Sequence, residues 1–159
     1  MRTEHINNTM TEWESLTDFA NERYVHKHYQ TALFFYRVAL ESLDLSGQQI
    51  EQDPEPTIAA MTLTYLNLAE VYCEMSDNET ANAQYEQAIQ MLLGLLKGQL
   101  LSTNTHHTIL RACNRVSTEW ANYINTHSQE MTNHCIKRYI QVKREVYETM
   151  NLFSLKLMH

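Results

Sequence analysis

The chain carries 8 histidines, 3 cysteines and 19 Asp/Glu residues, and their spacing decides which chemistry they suit. His106 and His107 are adjacent, so on a helix they point about 100° apart and make a poor joint metal site. His26 and His28 fall in a polar turn. His127 and His134, with Cys135 beside the second, are spaced to share a helix face, but no carboxylate-x-x-His or HExxH pattern accompanies them. Glu12, Glu14 and Glu22, like Glu70 and Glu74, sit at helical spacings that a solvated face would show. General acid–base work needs carboxylates in a pocket that shifts their pKa, and the sequence marks no such pocket. With 3 glycines there is no phosphate-cradling loop, and no nucleophile elbow or Ser/His/Asp signature appears. Cys73, Cys113 and Cys135 form no CxxC pair and read as small apolar core residues, reduced in a cytoplasmic compartment. The expectation is a protein that is not an enzyme and uses no metal or cofactor.

At 159 residues the chain suits one domain with a sizeable core. Only 3 Gly and 2 Pro leave little punctuation for strands and turns, so the expected class is all-α. The longest apolar runs, such as Met91 to Leu96, are far too short to span a membrane, and the polar start MRTEHINNTMTE does not resemble a signal peptide. Net charge is −7, unevenly placed: residues 1–95 hold 15 Asp/Glu against 4 Lys/Arg, and residues 96–159 hold 4 against 8. The basic part is too modest for nucleic acid, so neither nucleic acid nor membrane is expected as a partner.

Those elements must be helices, and two of their hairpins repeat. The capping-box spacing Thr11–Glu14 predicts a first helix from residue 11 or 12, with Trp13, Leu16, Phe19, Ala20 and Tyr24 at helical spacing. A second helix is expected over about Tyr29–Leu45, ended by Gly47. A third should start at Asp53-Pro54 or Glu55-Pro56, since proline suits a first helical turn. Ser76–Glu79 reads as a second capping box opening a fourth helix to about Leu101; a fifth follows over about Thr105–Thr126. A sixth begins near Ser128 and carries the stripe Cys135, Tyr139, Val142, Val146, Met150, Phe153 and Leu157. Ala81, Tyr85 and Ala88 follow Ala32, Tyr36 and Ala39 by 49 positions each; Tyr65, Leu68 and Ala69 follow Leu16, Phe19 and Ala20 by the same 49.

Tyr65, Leu68, Ala69 and Tyr72, then Ala81, Tyr85 and Ala88, resemble the tetratricopeptide repeat (TPR), a helix–turn–helix of about 34 residues with the pattern W-x2-L-G-x2-Y followed by A-x3-F. Residues 13–95 resemble two such repeats, and their long connection is similar to that in immunophilin-type TPR domains. The resemblance implies a short right-handed superhelix of about six helices in three antiparallel hairpins. Its parts would be repeat 1 at about 13–46, a connection at 47–61, repeat 2 at about 62–95 and a degenerate third hairpin at about 104–152.

The family's usual role implies a concave groove, lined by the first helix of each hairpin, that takes an extended or helical peptide. A TPR subset grips a terminal carboxylate with Lys and Asn. Asn21 and Asn67 stand at that subset's asparagine positions, whereas its first-repeat lysine position is Thr17. Arg111 and Arg115, four apart on the fifth helix, are placed to supply a cation, and Tyr24 and Tyr72 to anchor a peptide. The expected function is therefore non-catalytic binding of a protein or peptide. The alternative is a structural homodimer assembled through the C-terminal helix, whose apolar stripe is long.

Overall fold

The computed structural model describes the backbone of residues 2–97 and 100–158 and the side chains of residues 10–97 and 100–156. Among the described residues the regular structure is all α-helical, in seven helices: α1 (Arg2–Val25), α2 (Tyr29–Ser42), α3 (Gly47–Gln52), α4 (Pro54–Glu74), α5 (Asn78–Lys97), α6 (Thr103–Thr126) and α7 (Asn133–Met158). No described helix is long and apolar enough to cross a membrane.

Two antiparallel pairs stand out, α1 against α2 and α4 against α5, while α7 packs thinly and equally on α5 and α6. Between pairs, α4 packs on α2, α6 packs on α5, and α4 lies beside α6. The small residues that the 49-residue offset singles out, Ala20, Ala32, Ala39, Ala69, Ala81 and Ala88, are all buried. They let helix axes approach closely while Tyr36, Tyr65 and Tyr85 fill the space beside them.

The repeat extends to the backbone of the turns. Lys27 and Ser76, again 49 apart, both hold a left-handed φ of 60°. Each hairpin closes with the same hydrogen bonds: Lys27 N to Tyr24 O and His28 N to Arg23 O in the first, Ser76 N to Cys73 O and Asp77 N to Tyr72 O in the second. This is the Schellman arrangement, which satisfies carbonyls that a helix end would otherwise leave orphaned.

Several boundaries differ from expectation. Helix α1 begins at Arg2 rather than near residue 11, because no glycine or proline interrupts the polar segment before Thr11. Ser76 is not the cap of α5: it is the left-handed turn residue, and Asp77 Oδ1 accepts from Thr80 N at 3.1 Å instead. The six helices become seven because Gly47 does not end α2, which stops at Ser42. Gly47 opens α3, whose cap Ser46 accepts from Gln49 N at 3.3 Å. That extra turn places Glu51 to accept from Ser102 N at 2.8 Å, at the start of α6, and this bond holds the Glu51 carboxyl below its usual range. Helix α5 ends at Lys97, short of Leu101, with Gly98 and Gln99 outside the described residues. Helix α7 starts at Asn133, after a turn, rather than near Ser128. Of its stripe, Cys135, Val142 and Val146 are buried and Met150 is exposed, while the Leu157 side chain lies outside the described residues.

Two buried indoles tie the pairs together. Trp13 Nε1–H on α1 donates to Thr64 Oγ1 on α4 at 2.9 Å, and Thr64 in turn donates to Ala60 O at 2.8 Å. Trp120 Nε1–H on α6 donates to Asn82 Oδ1 on α5. Replacing Asn82 with the similarly sized leucine leaves the buried indole donor without an acceptor, a loss of about 1–3 kcal/mol. Urea unfolding of Asn82→Leu should show this as a lower midpoint at unchanged slope; an unchanged midpoint would contradict the role given to the bond.

Candidate functional site

The seam between α4 and α6 holds two clefts that meet at one side chain. The larger, about 400 Å³, is lined by Leu63, Leu66, Asn67, Glu70 and Cys73 of α4, Tyr85 of α5, and Arg115, Glu119 and Tyr123 of α6. The smaller, about 210 Å³, lies toward the start of α4 between Glu55, Ile58, Ala59 and Thr62 on one side and Thr108, Arg111, Ala112 and Arg115 on the other. Arg115 lines both. Periodicity explains the lining: Glu55, Ala59, Thr62, Leu66, Glu70 and Cys73 recur every three or four residues, so they form one edge of α4.

Three of the predicted binding residues are thereby brought together. Asn67 and Arg115 line the larger cleft, and Arg111 lines the smaller, where its guanidinium lies 3.4 Å from exposed Glu55. Tyr24 reaches the same region from α1: its hydroxyl donates to Glu70 Oε1 at 3.0 Å. Burial and then the Glu70 carboxylate hold that phenol well above its ordinary pKa, so it stays a donor. Asn21 stands apart, its amide oxygen accepting from the Tyr36 hydroxyl across the α1–α2 hairpin. Tyr72 does not reach the cleft. It is buried between hairpins, with Arg37 over its ring at 5.7 Å and donating to its hydroxyl. Thr17 is buried as well, so a lysine at that position would lie in the core rather than in a groove.

One arrangement has no trace in the spacing of the sequence. Cys73 Sγ, at the rim of the larger cleft, lies 3.5 Å from His127 Nε2, across 54 positions of chain. His127 Nδ1 lies 3.0 Å from Tyr123 O. A carbonyl can only accept, so Nδ1 carries a proton, and in that tautomer Nε2 is the acceptor that faces the thiol. A thiol beside an imidazole is the pairing from which nucleophilic catalysis is built. Here its surroundings oppose activation: burial pushes the Cys73 thiol up, and Glu74, Glu130 and Glu70 push it further. Burial drives Cys113 to about 12, against a backbone hydrogen bond that pulls it the other way. Among the described residues, no three or more His, Cys, Asp or Glu side chains are grouped to hold a metal ion. His134 is exposed, and His106 and His107 pack edge-on against Phe153 at 4.9 and 5.3 Å.

A raised thiol pKa favours the protonated folded state. Its contribution to stability is present below the ordinary thiol value and is lost as pH rises through the shifted one. At neutral pH, iodoacetamide should alkylate Cys73 more slowly than free cysteine, and Glu130→Gln should speed the reaction by removing one of the charges that holds the proton. Mass spectrometry of the labelled protein reads both rates. A folded-state rate above that of free cysteine would show an activated thiolate instead.

None of the curated proteins or solved structures compared with the chain matches it. A family model described as Protein of unknown function (DUF2753) matches residues 11–154, nearly the full length, and the chain belongs to that family.

Proposed function

We propose that the protein is a non-catalytic binding module with a TPR-like arrangement, and that the α4–α6 seam is its groove for an extended or helical protein segment. The observation that carries this reading is the joined pair of clefts that shares Arg115. From Glu55 to Cys73 the α4 edge runs about 27 Å at ~1.5 Å per residue, room for about eight residues of extended chain at ~3.3 Å each. The lining suits a peptide in kind as well as length. Leu63, Leu66 and Ala112 offer apolar contact, while the Asn67 amide both donates and accepts, as a peptide backbone does. Arg111 and Arg115 offer paired donors for a carboxylate, and Glu70 and Glu119 offer acceptors for basic side chains. The packing of α4 beside α6 and, more thinly, beside α1, together with the repeated turn at Lys27 and Ser76, supports the TPR likeness. A role holding an unfolded client segment is a narrower form of the same reading.

Selection from a random peptide library, followed by fluorescence anisotropy on the selected peptides, tests the groove. Asn67→Glu/Arg115→Glu should weaken binding at least tenfold, about 1.4 kcal/mol, while leaving the helical circular dichroism intact. Equal affinity for wild type and the folded double variant would overturn the reading.

A further inference from the structure

In this stack each later first helix sits on the second helix of the pair before it: α4 on α2, and α6 on α5. Within the described residues, α1 has no second helix before it and α7 has no first helix after it. The effect shows at equivalent positions. Leu68, covered within the stack, is 2% exposed; Phe19, its counterpart 49 positions earlier on α1, is 42% exposed. Phe19 packs edge-on against Phe35 at 4.5 Å, and Phe35 meets Phe34, itself 60% exposed, at 5.1 Å. The same helix exposes Glu12, Glu14 and Asp18 to solvent. At the opposite end, the outer face of α7 exposes Ile140 and Tyr147, at 51% and 67%. Lys137, Lys143 and Arg144 are exposed beside them, with Glu148 as the exposed acid on that stretch.

Each open end thus pairs apolar anchors with a net charge, and the two are opposite: acidic at α1, where Arg23 over the Phe19 ring at 5.4 Å is itself paired with Glu22 at 2.8 Å, and basic at α7, where Glu148 is outnumbered. We propose that the uncovered α1 face of one copy docks on the uncovered α7 face of another, head to tail, so that the order second helix then first helix continues across the junction. A second copy is the fitting occupant because one chain carries both complementary faces. The same charges disfavour the symmetric pairings: α7 on α7 would bring Lys143 and Arg144 toward their own copies, and α1 on α1 would oppose the acids. A head-to-tail contact leaves one face free at each end, so association grows with concentration instead of stopping at a dimer. Its electrostatic part weakens with salt. This inference stands independently of the peptide groove.

Sedimentation velocity over roughly a hundredfold range of concentration, at low and high salt, reads the association. Two variants separate its modes: a head variant, Phe19→Lys/Phe34→Lys, and a tail variant, Ile140→Lys/Tyr147→Lys. Both altered faces are basic and cannot meet each other. The expected results are a wild-type mass that rises with concentration and falls with salt, monomers for each variant alone, and a one-to-one dimer that grows no further when the two are mixed. That mixture also verifies that both variants fold. A wild type that stays monomeric throughout overturns the proposal even if a variant fails to fold. So does a head variant that still dimerises while the tail variant does not, which would mark a symmetric α7 contact. Variants that keep their helical circular dichroism yet remain monomeric when mixed overturn it too.

Discussion

Two indole N–H groups, each buried and each donating into the neighbouring helix, fix how the helices of this protein register. Apolar side chains of about the right size collapse helices together but tolerate sliding, whereas a buried donor has one acceptor and strands at a cost if the helices shift. Trp13 locks α1 to α4 through Thr64, and Trp120 locks α6 to α5 through Asn82. The α4–α6 seam lies between these two locks, so the spacing of Asn67 from Arg115 depends on both. The Tyr123 hydroxyl, 2.6 Å from Asn78 Oδ1, and the Arg138–Glu86 ion pair extend the same pattern toward α7.

The parts of the fold legible in the sequence are those that alanine marks. Close helix approach demands small residues at fixed spacing, so Ala20, Ala32 and Ala39 and their partners 49 positions later reveal both hairpins without any contact being known. Helix ends were less legible because capping residues are common in polar sequence. Ser76–Glu79 has capping-box spacing, yet the turn needs Ser76 in the left-handed region to close its hydrogen bonds, and the cap passes to Asp77. Helix α3 was hidden because Gly47 reads equally as the end of one helix and the start of another; the tie from Glu51 to Ser102, which favours the second, spans 51 positions.

The site was legible in the same uneven way. Arg111 and Arg115 lie on one helix, and periodicity alone places them on one edge. Asn67 came through the resemblance to the carboxylate-gripping TPR subset, whereas Glu70 read only as part of a solvated face. Tyr72 misled because its ring sits where the repeat pattern puts an aromatic, a place that packing between hairpins claims before any groove can. The Cys73–His127 pair left no signal, since nothing local links residues 54 apart. Charge, by contrast, was visible from the start: the acidic first 95 residues build α1 to α5 and the basic remainder builds α6 and α7.

The central claim is that a partner segment lies along the α4–α6 seam. The most direct measurement is an amide ¹H–¹⁵N spectrum of the assigned protein, recorded as a library-selected peptide is added. The account predicts that shifts concentrate on residues 55–73 of α4 and 108–123 of α6, on both sides of Arg115. Shifts confined to the outer face of α7, around Ile140 and Tyr147, with the seam unmoved, would contradict it.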